Sequence, residues 1–317
     1  MAFIILVIII SICVAVICVN ILRWKQTLEV RADFSISMSD YELQHDINKC
    51  IEMTHVRNYN IASNTVTANM AKSVNNIMFL FPTIDRDAHL VDIIYNAFES
   101  SIDYALTIDN ISYDVFVTCR KSDLIVQREW KKYNNIKFML VDDYIITNNH
   151  NYDGMLNTYN NGRLRAINDN YDAMMIIESD VGIKKQTIHD MIDIINTTKY
   201  DVVSAIVTQS WCDIPFITVI RDRAVQMIDI DKYINKYNIT TNYVDVSFCD
   251  TGSTMLSKNA LHIPFTYDKI FGIHGIDVGW GMSLFANGIN MCVLSNYISD
   301  HYYKDRIKQQ NSDCNVQ

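Results

Sequence analysis

Two carboxylates, Glu178 and Asp180, flank Ser179 directly after the apolar run Ala173-Met174-Met175-Ile176-Ile177. A run of that kind suits a strand buried on both faces. The acids therefore stand at a strand's carboxyl end, where charge is costly unless a cation or water compensates it. The plainer reading is an acidic strand–helix junction with Asp180 as a cap. Further on, Asp277 sits in Gly275-Ile276-Asp277-Val278-Gly279-Trp280-Gly281, and His301 in Asp300-His301-Tyr302-Tyr303. Asp277 is a candidate acid–base group or a helix cap, and His301 a ligand or a surface histidine. The other histidines (His89, His150, His189, His262, His274) have no ligand spacing.

The elements that must position these residues alternate. Ile77 to Phe81 reads as a buried strand ended by Pro82. Leu90, Ile93, Ile94, Ala97 and Phe98 then mark one face of a helix, with Asp85 or Asp87 to cap it. Tyr113–Thr118 and Lys137–Val141 read as strands around a helix over Asp123–Lys132. A helix around Gly162–Asn168 precedes the acidic strand. Another follows it, with Ile188, Met191, Ile192 and Ile195 on one face. Such alternation predicts an open, mostly parallel sheet flanked by helices, with ligands at the strands' carboxyl ends. In the second half Val202–Val207, Phe216–Val219, Val244–Cys249 and Met291–Leu294 read as strands. A short helix over Gly281–Asn287 is stopped by Gly288. No internal repeat or second core is evident, which leaves one catalytic domain.

Composition bounds the function. The chain has 317 residues, 49% of them hydrophobic, and a formal net charge of −9. Acidity of this degree lacks the electrostatic footprint of a nucleic-acid binder, so no nucleic-acid partner is expected. A nucleotide can still bind if a divalent cation stands between carboxylate and phosphate. The eight cysteines contain no C-x-x-C pair, which excludes zinc-site spacing. Residues Ala2 to Leu22 are apolar apart from Ser11 and Asn20. About 20 such residues span a bilayer as one helix. The run lacks the basic n-region and small-residue cleavage site of a signal peptide. Arg23, Lys25 and Arg31 follow it, so charge bias puts the C-terminal domain on the cytosolic side, with the lumenal side still open. The expected organisation is a transmembrane anchor over 1–22, a stem over 23–73, a catalytic domain over 74–303 and a tail over 304–317.

From about residue 75 to 303 the order of motifs resembles the nucleotide-sugar-dependent glycosyltransferases of the GT-A fold, particularly family 2-like enzymes. Phe81-Pro82-Thr83-Ile84-Asp85 looks like that fold's nucleotide-binding start. Gly162-Arg163-Leu164-Arg165-Ala166-Ile167 stands where such enzymes carry a Gly/Ala- and Arg-containing helix. Glu178-Ser179-Asp180 occupies the place of the D-x-D motif. Asp250-Thr251-Gly252-Ser253-Thr254-Met255-Leu256 looks like the strand and turn that back the acceptor site. Asp277 and its glycines resemble the acidic motif that opens the catalytic helix. His301 falls where many members place a late metal-binding histidine. The chain departs from the pattern in three places. The D-x-D position begins with Glu, Ile276 precedes Asp277, and Cys119-Arg120-Lys121-Ser122-Asp123 replaces the usual Asp-Asp-Gly-Ser turn.

The resemblance implies a membrane-anchored sugar transferase of the hexosyltransferase type. Its partners would be a nucleotide-sugar donor and a glycan, protein or lipid hydroxyl acceptor, with Mn²⁺ or Mg²⁺ as cofactor. Asp180 and His301 would be metal ligands. Pro82, Thr83, Asp85, Arg163, Glu178, Ser179 and Asp180 would bind the nucleotide sugar. Gly252 and Trp280 would serve the acceptor, and Asp277 would be the general base, giving inversion by single displacement. Plainer readings stand beside these: Trp280 as core, Arg163 and Arg165 as a solvated helix face, Thr83 and Asp85 as a strand end. A non-catalytic binding or structural protein is the rival from another class. A nucleotidyltransferase is a further one, although it would need a basic Gly-rich loop after the first strand.

Overall fold

The computed structural model describes residues 73–142, 152–207, 216–221, 224–270 and 273–302. The expected anchor and tail, and the stem up to residue 72, lie outside these residues. Among the described residues no helix is long and apolar enough to cross a membrane.

The first half alternates as expected. Strand β1 (Asn76–Pro82) leads through a 3₁₀ turn (Asp85–Leu90) into α1 (Val91–Leu106). Then come β2 (Ser112–Arg120), α2 (Leu124–Trp130), β3 (Ile136–Val141), α3 (Tyr152–Asn168), β4 (Ala173–Ile177), β5 (Val181–Gly182) and α4 (Thr187–Thr197). The second half has β6 (Val202–Val207), a hairpin of β7 (Phe216–Arg221) and β8 (Ala224–Asp229), α5 (Ile230–Tyr237), β9 (Tyr243–Val246) and β10 (Ser253–Ser257). A short β11 (Asp268–Ile270) and β12 (Ile273–Gly275) precede α6 (Ile276–Ala286) and β13 (Met291–His301).

Nine strands form one sheet in the order β3-β2-β1-β4-β10-β6-β13-β5, with β9 paired to β13. The expectation of a mostly parallel sheet is corrected. β3, β2, β1 and β4 are parallel neighbours, as are β6 and β13. β10 enters antiparallel between β4 and β6, and β13 runs antiparallel to β5 and β9. The result is a large mixed sheet in an α/β arrangement, with helices on both sides.

The central strands β1, β4, β10 and β6 are buried on both faces, so the core has two halves. Ile77, Phe79 and Phe81 face one half with Ile94 and Phe98 of α1, Trp130 of α2 and Ile188 of α4. Met78 and Leu80 face the other, with Tyr159 of α3 and Trp280 and Leu284 of α6. The five β1 side chains from Ile77 to Phe81 are fully buried, and each contributes about 1.5–3 kcal/mol. The stripe on α1 is turned from the expected one. Val91, Ile94, Phe98, Ile102 and Ala105 are buried, whereas Ile93 is exposed. Asp85 and Asp87 do not cap this helix, whose N-terminus has no side-chain cap. The chain's asparagines act at helix ends instead. Asn170 and Asn238 take positive φ. Each is followed by an N–H that reaches back five residues, Tyr171 to Ala166 and Ile239 to Ile234. Gly288 does the same for α6, as its position predicted.

α3 lies close on β1 because Gly162 has no side chain. A Cβ there would meet Leu80 Cδ2 at 2.4 Å, with Cδ1 and Cγ of the same leucine at 3.2 and 3.3 Å. Leu80 is fully buried and has nowhere to go. Gly162→Ala is therefore expected to lose about 1–3 kcal/mol in chemical denaturation by overpacking, despite alanine's helix preference. With Leu80→Ala, which makes room, the double variant should lose less than the sum of the two single changes.

Candidate functional site

The acidic triplet stands where β4 ends, at the carboxyl edge of the parallel strands. Two backbone bonds hold it in place. The Glu178 N–H donates to Gly252 O at 2.8 Å, and the Tyr302 N–H donates to Asp180 O at 2.8 Å. The second bond extends the short β5–β13 pairing, in which His301 lies opposite Val181. β13 was expected to end at Leu294. It runs on past a register shift between Val293 and Ile298 as far as His301. That extension sets His301 Nε2 3.2 Å from Asp180 Oδ2.

Glu178 is held by two hydroxyls on one oxygen. Tyr159 donates to Oε1 at 2.6 Å and Thr251 donates to the same atom at 2.9 Å. Ser179 is turned away, its hydroxyl donating to the buried Asp87 carboxylate at 2.7 Å. Asp250 precedes β10, and its Oδ1 accepts the Gly252 N–H at 2.9 Å. Asp277 lies in the first turn of α6, where the N–H groups of Val278 and of Asp277 itself bond its carboxylate.

These acids act on one another. Burial pushes the Glu178 carboxyl up to about 7, and the charges of Asp250 and Asp180 push the same way against the two hydroxyl bonds. Asp250 is also raised, first by burial and then by the charge of Asp277, with His301 partly offsetting both. Burial raises Asp277, the backbone N–H bonds oppose it, and Glu178 adds to it. Glu178, Asp250 and Asp277 nonetheless keep partial solvent access. Mostly buried carboxylates that shift one another in this way are candidates for function.

The predicted residues divide. Glu178, Asp180, Asp277 and His301 converge, and Gly252 lies directly beneath them. A Cβ on Gly252 would meet Val207 Cγ2 at 3.2 Å, and Asp250 Oδ1 and Val181 Cγ2 at 3.4 Å. Pro82 ends the neighbouring strand β1, and the buried Thr83 donates its N–H to Thr118 O. Three expectations are corrected. Asp85 is engaged elsewhere: its Oδ1 accepts the Val126 N–H at 2.8 Å, so it caps α2. Arg163 is a strut, donating to Leu261 O at 2.8 Å and to Asn160 Oδ1 at 3.1 Å. Trp280 is fully buried and stacked on Phe265, so it offers no face to a sugar. The glycine after it admits Phe248 rather than a ligand, since a Cβ on Gly281 would meet Phe248 Cδ1 at 2.6 Å. Asp250, Thr251 and Tyr159 were missed as site residues. Asp250 and Thr251 stood beside Gly252 in a motif already singled out, whereas nothing in the spacing of α3 marks Tyr159.

Among the described residues no group of three or more His, Cys, Asp or Glu is arranged to hold a metal ion alone. Asp180 and His301 do supply one carboxylate oxygen and one imidazole nitrogen side by side. Two protein donors suit an ion whose other positions are taken by phosphate oxygens and water, and imidazole favours Mn²⁺ over Mg²⁺.

No known family's sequence profile matches the chain, and no curated protein matches it in sequence. Solved structures resemble it in backbone. S. aureus TarS 1–349 in complex with UDP-GlcNAc has a TM-score of 0.45 at 14% identity, over 71% of this chain and 57% of that one. A second S. aureus TarS 1–349 structure has a TM-score of 0.44 at 14% identity, over 71% and 59%. The match thus spans less than two thirds of the TarS fragment. A 4-diphosphocytidyl-2C-methyl-D-erythritol synthase from Anaerococcus prevotii has a TM-score of 0.41 at 12% identity, over 74% and 93%.

The raised Glu178 carboxyl has a consequence for stability. Its folded value lies above the unfolded one, so ionisation disfavours the fold. The penalty is absent below the unfolded value and complete above about 7. Glu178→Gln keeps an oxygen for Tyr159 and Thr251. Thermal melts at pH 8 should show it more stable than wild type, on the order of 1–3 kcal/mol after discounting for solvent access. Near pH 4 the gain should vanish.

Proposed function

We propose that this chain is a glycosyltransferase that moves a sugar from a nucleotide-sugar donor to a hydroxyl acceptor, with inversion. The observation that carries this reading is that Asp180 meets His301, and that Glu178 and Asp277 lie close enough to influence one another, at the carboxyl edge of the sheet. Asp180 and His301 would hold Mn²⁺ or Mg²⁺, which when bound would neutralise the charge that gathers on the departing diphosphate. Glu178, fixed through Oε1, would accept hydrogen bonds from the donor's hydroxyls with its other oxygen. Pro82 and Thr83, one strand away, would border the nucleotide.

Asp277 would take the proton from the acceptor hydroxyl as that oxygen attacks the anomeric carbon. Its raised pKa suits it to that step, because a stronger base holds the proton more firmly. Asp250, before β10, is raised by the charge of Asp277 and in turn raises Glu178. Gly252 would back the acceptor. The apolar stretch Ala2–Leu22 would hold the enzyme at a membrane. A nucleotidyltransferase finds less support: Arg86 follows β1, but its guanidinium is bonded to Asp87.

The test is metal-dependent release of nucleoside diphosphate by the full-length chain over a panel of sugar donors. Asp180→Asn should lower kcat/KM by about 10²–10³-fold, and Asp277→Asn should lower kcat by about 10²–10⁴-fold. Unchanged rates in Asp180→Asn would end the metal role. Failure of wild type to turn over or bind any donor would favour a non-catalytic binding protein. The pH–rate profile checks the base. Asp277 must be ionised to act, so activity should fall as pH drops. Its acid limb should lie above the ordinary aspartate value of about 3.9.

A further inference from the structure

Three buried aromatic rings stand behind the Glu178 carboxylate. The Tyr159 hydroxyl donates to Glu178. Its ring meets that of Phe265 with centroids 5.2 Å apart, and Phe265 stacks on Trp280 at 4.4 Å with 27° between planes. All three side chains are buried. Trp280 lies three residues beyond Asp277, one turn along α6. The rings therefore form a continuous wall from the acid on β4 to the helix that carries Asp277.

The wall is braced at its middle. Asn160, next to Tyr159, grips the Phe265 backbone from both sides. Its amide donates to Phe265 O at 2.9 Å and its Oδ1 accepts the Phe265 N–H at 3.0 Å. Arg163, one turn on, holds Leu261 O and Asn160. Thr266 and Ser283 hydroxyls meet at 3.2 Å, tying the next residue to α6. Trp280 Nε1 has no hydrogen-bond partner among the described residues, so ring packing orients the indole. On the other side Gly281 lets α6 press against Phe248. α6 is thus wedged between Phe248 and Phe265, and close-packed interiors transmit such contacts without slack.

We propose that Tyr159 is a positioning residue that registers Glu178 against Asp277: its hydroxyl fixes Glu178, while its ring, through Phe265 and Trp280, fixes the first turn of α6. The two ends of this device have separable effects. The words donor and acceptor rest on the glycosyltransferase reading, but the register between the two carboxylates does not.

Crystal structures and kinetics of the full-length chain and its variants test it. Tyr159→Phe keeps the ring and removes the hydroxyl. Its Glu178 side chain should leave its wild-type position while α6 stays in place. Donor KM should rise about tenfold, the size of one hydrogen bond to a charged group, with kcat little changed. Phe265→Leu breaks the ring wall and keeps both hydroxyl bonds. The first turn of α6 should shift, and kcat should fall by up to about 10²-fold, as for a base displaced by about 1 Å, with donor KM little changed. Should Phe265→Leu fail to fold, Trp280→Phe, whose smaller ring leaves the stack on Phe265 loose at the α6 end, is expected to give the same split in milder form.

Glu178 and α6 unmoved in these variants would overturn the proposal. So would kcat and KM changing together in both, as general loosening predicts. A wild-type chain without turnover on any donor would remove the glycosyltransferase reading alone. The crystal structures would still decide the register.

Discussion

The carboxyl end of β4 is pinned between two backbone bonds, from Glu178 to Gly252 and from Tyr302 to Asp180, and the cleft hangs on that pinning. Left to themselves, Glu178, Asp180, Asp250 and Asp277 would move apart. Each bond instead ties the triplet to a different strand. Gly252 brings in the start of β10 and with it Asp250. Tyr302 brings in the end of β13 and with it His301. Backbone bonds of this kind are buried and obligatory, so they resist a repulsion that side chains could not.

The antiparallel β10 is the architectural reason for this. A parallel neighbour to β4 would put its carboxyl end beside Glu178. β10 puts its amino end there instead, with Ser253 opposite Ile177. The residues just before a strand, Asp250 to Gly252, thereby reach the same edge as residues just after one. Two chain directions supply acids to one cleft. The site is crowded, and the raised Glu178, Asp250 and Asp277 carboxyls are the electrostatic result.

Much of this was legible in the sequence because apolar runs are strong signals. β4 and β6 begin and end where the runs Ala173–Ile177 and Val202–Val207 do. Asp180, Asp277 and His301 were singled out by type and order. What was illegible depends on pairing. No period in residues 253–257 says that β10 would run antiparallel between β4 and β6. The first turn of α6 was missed because Gly279 and Gly281 weaken the helical pattern, although here the glycine makes room for Phe248. Trp280 carried two readings, sugar platform and core, and its stacking on Phe265 decides for core. Tyr159 could not be singled out, since its partner lies nineteen residues away on another element.

His301 stands at the end of a strand that does not lie at the sheet's margin. β13 is inserted beside β6 and holds β9 and β5 along its length. Any change that undocks the end of β13 therefore removes the histidine from Asp180 and one of the two backbone pins together.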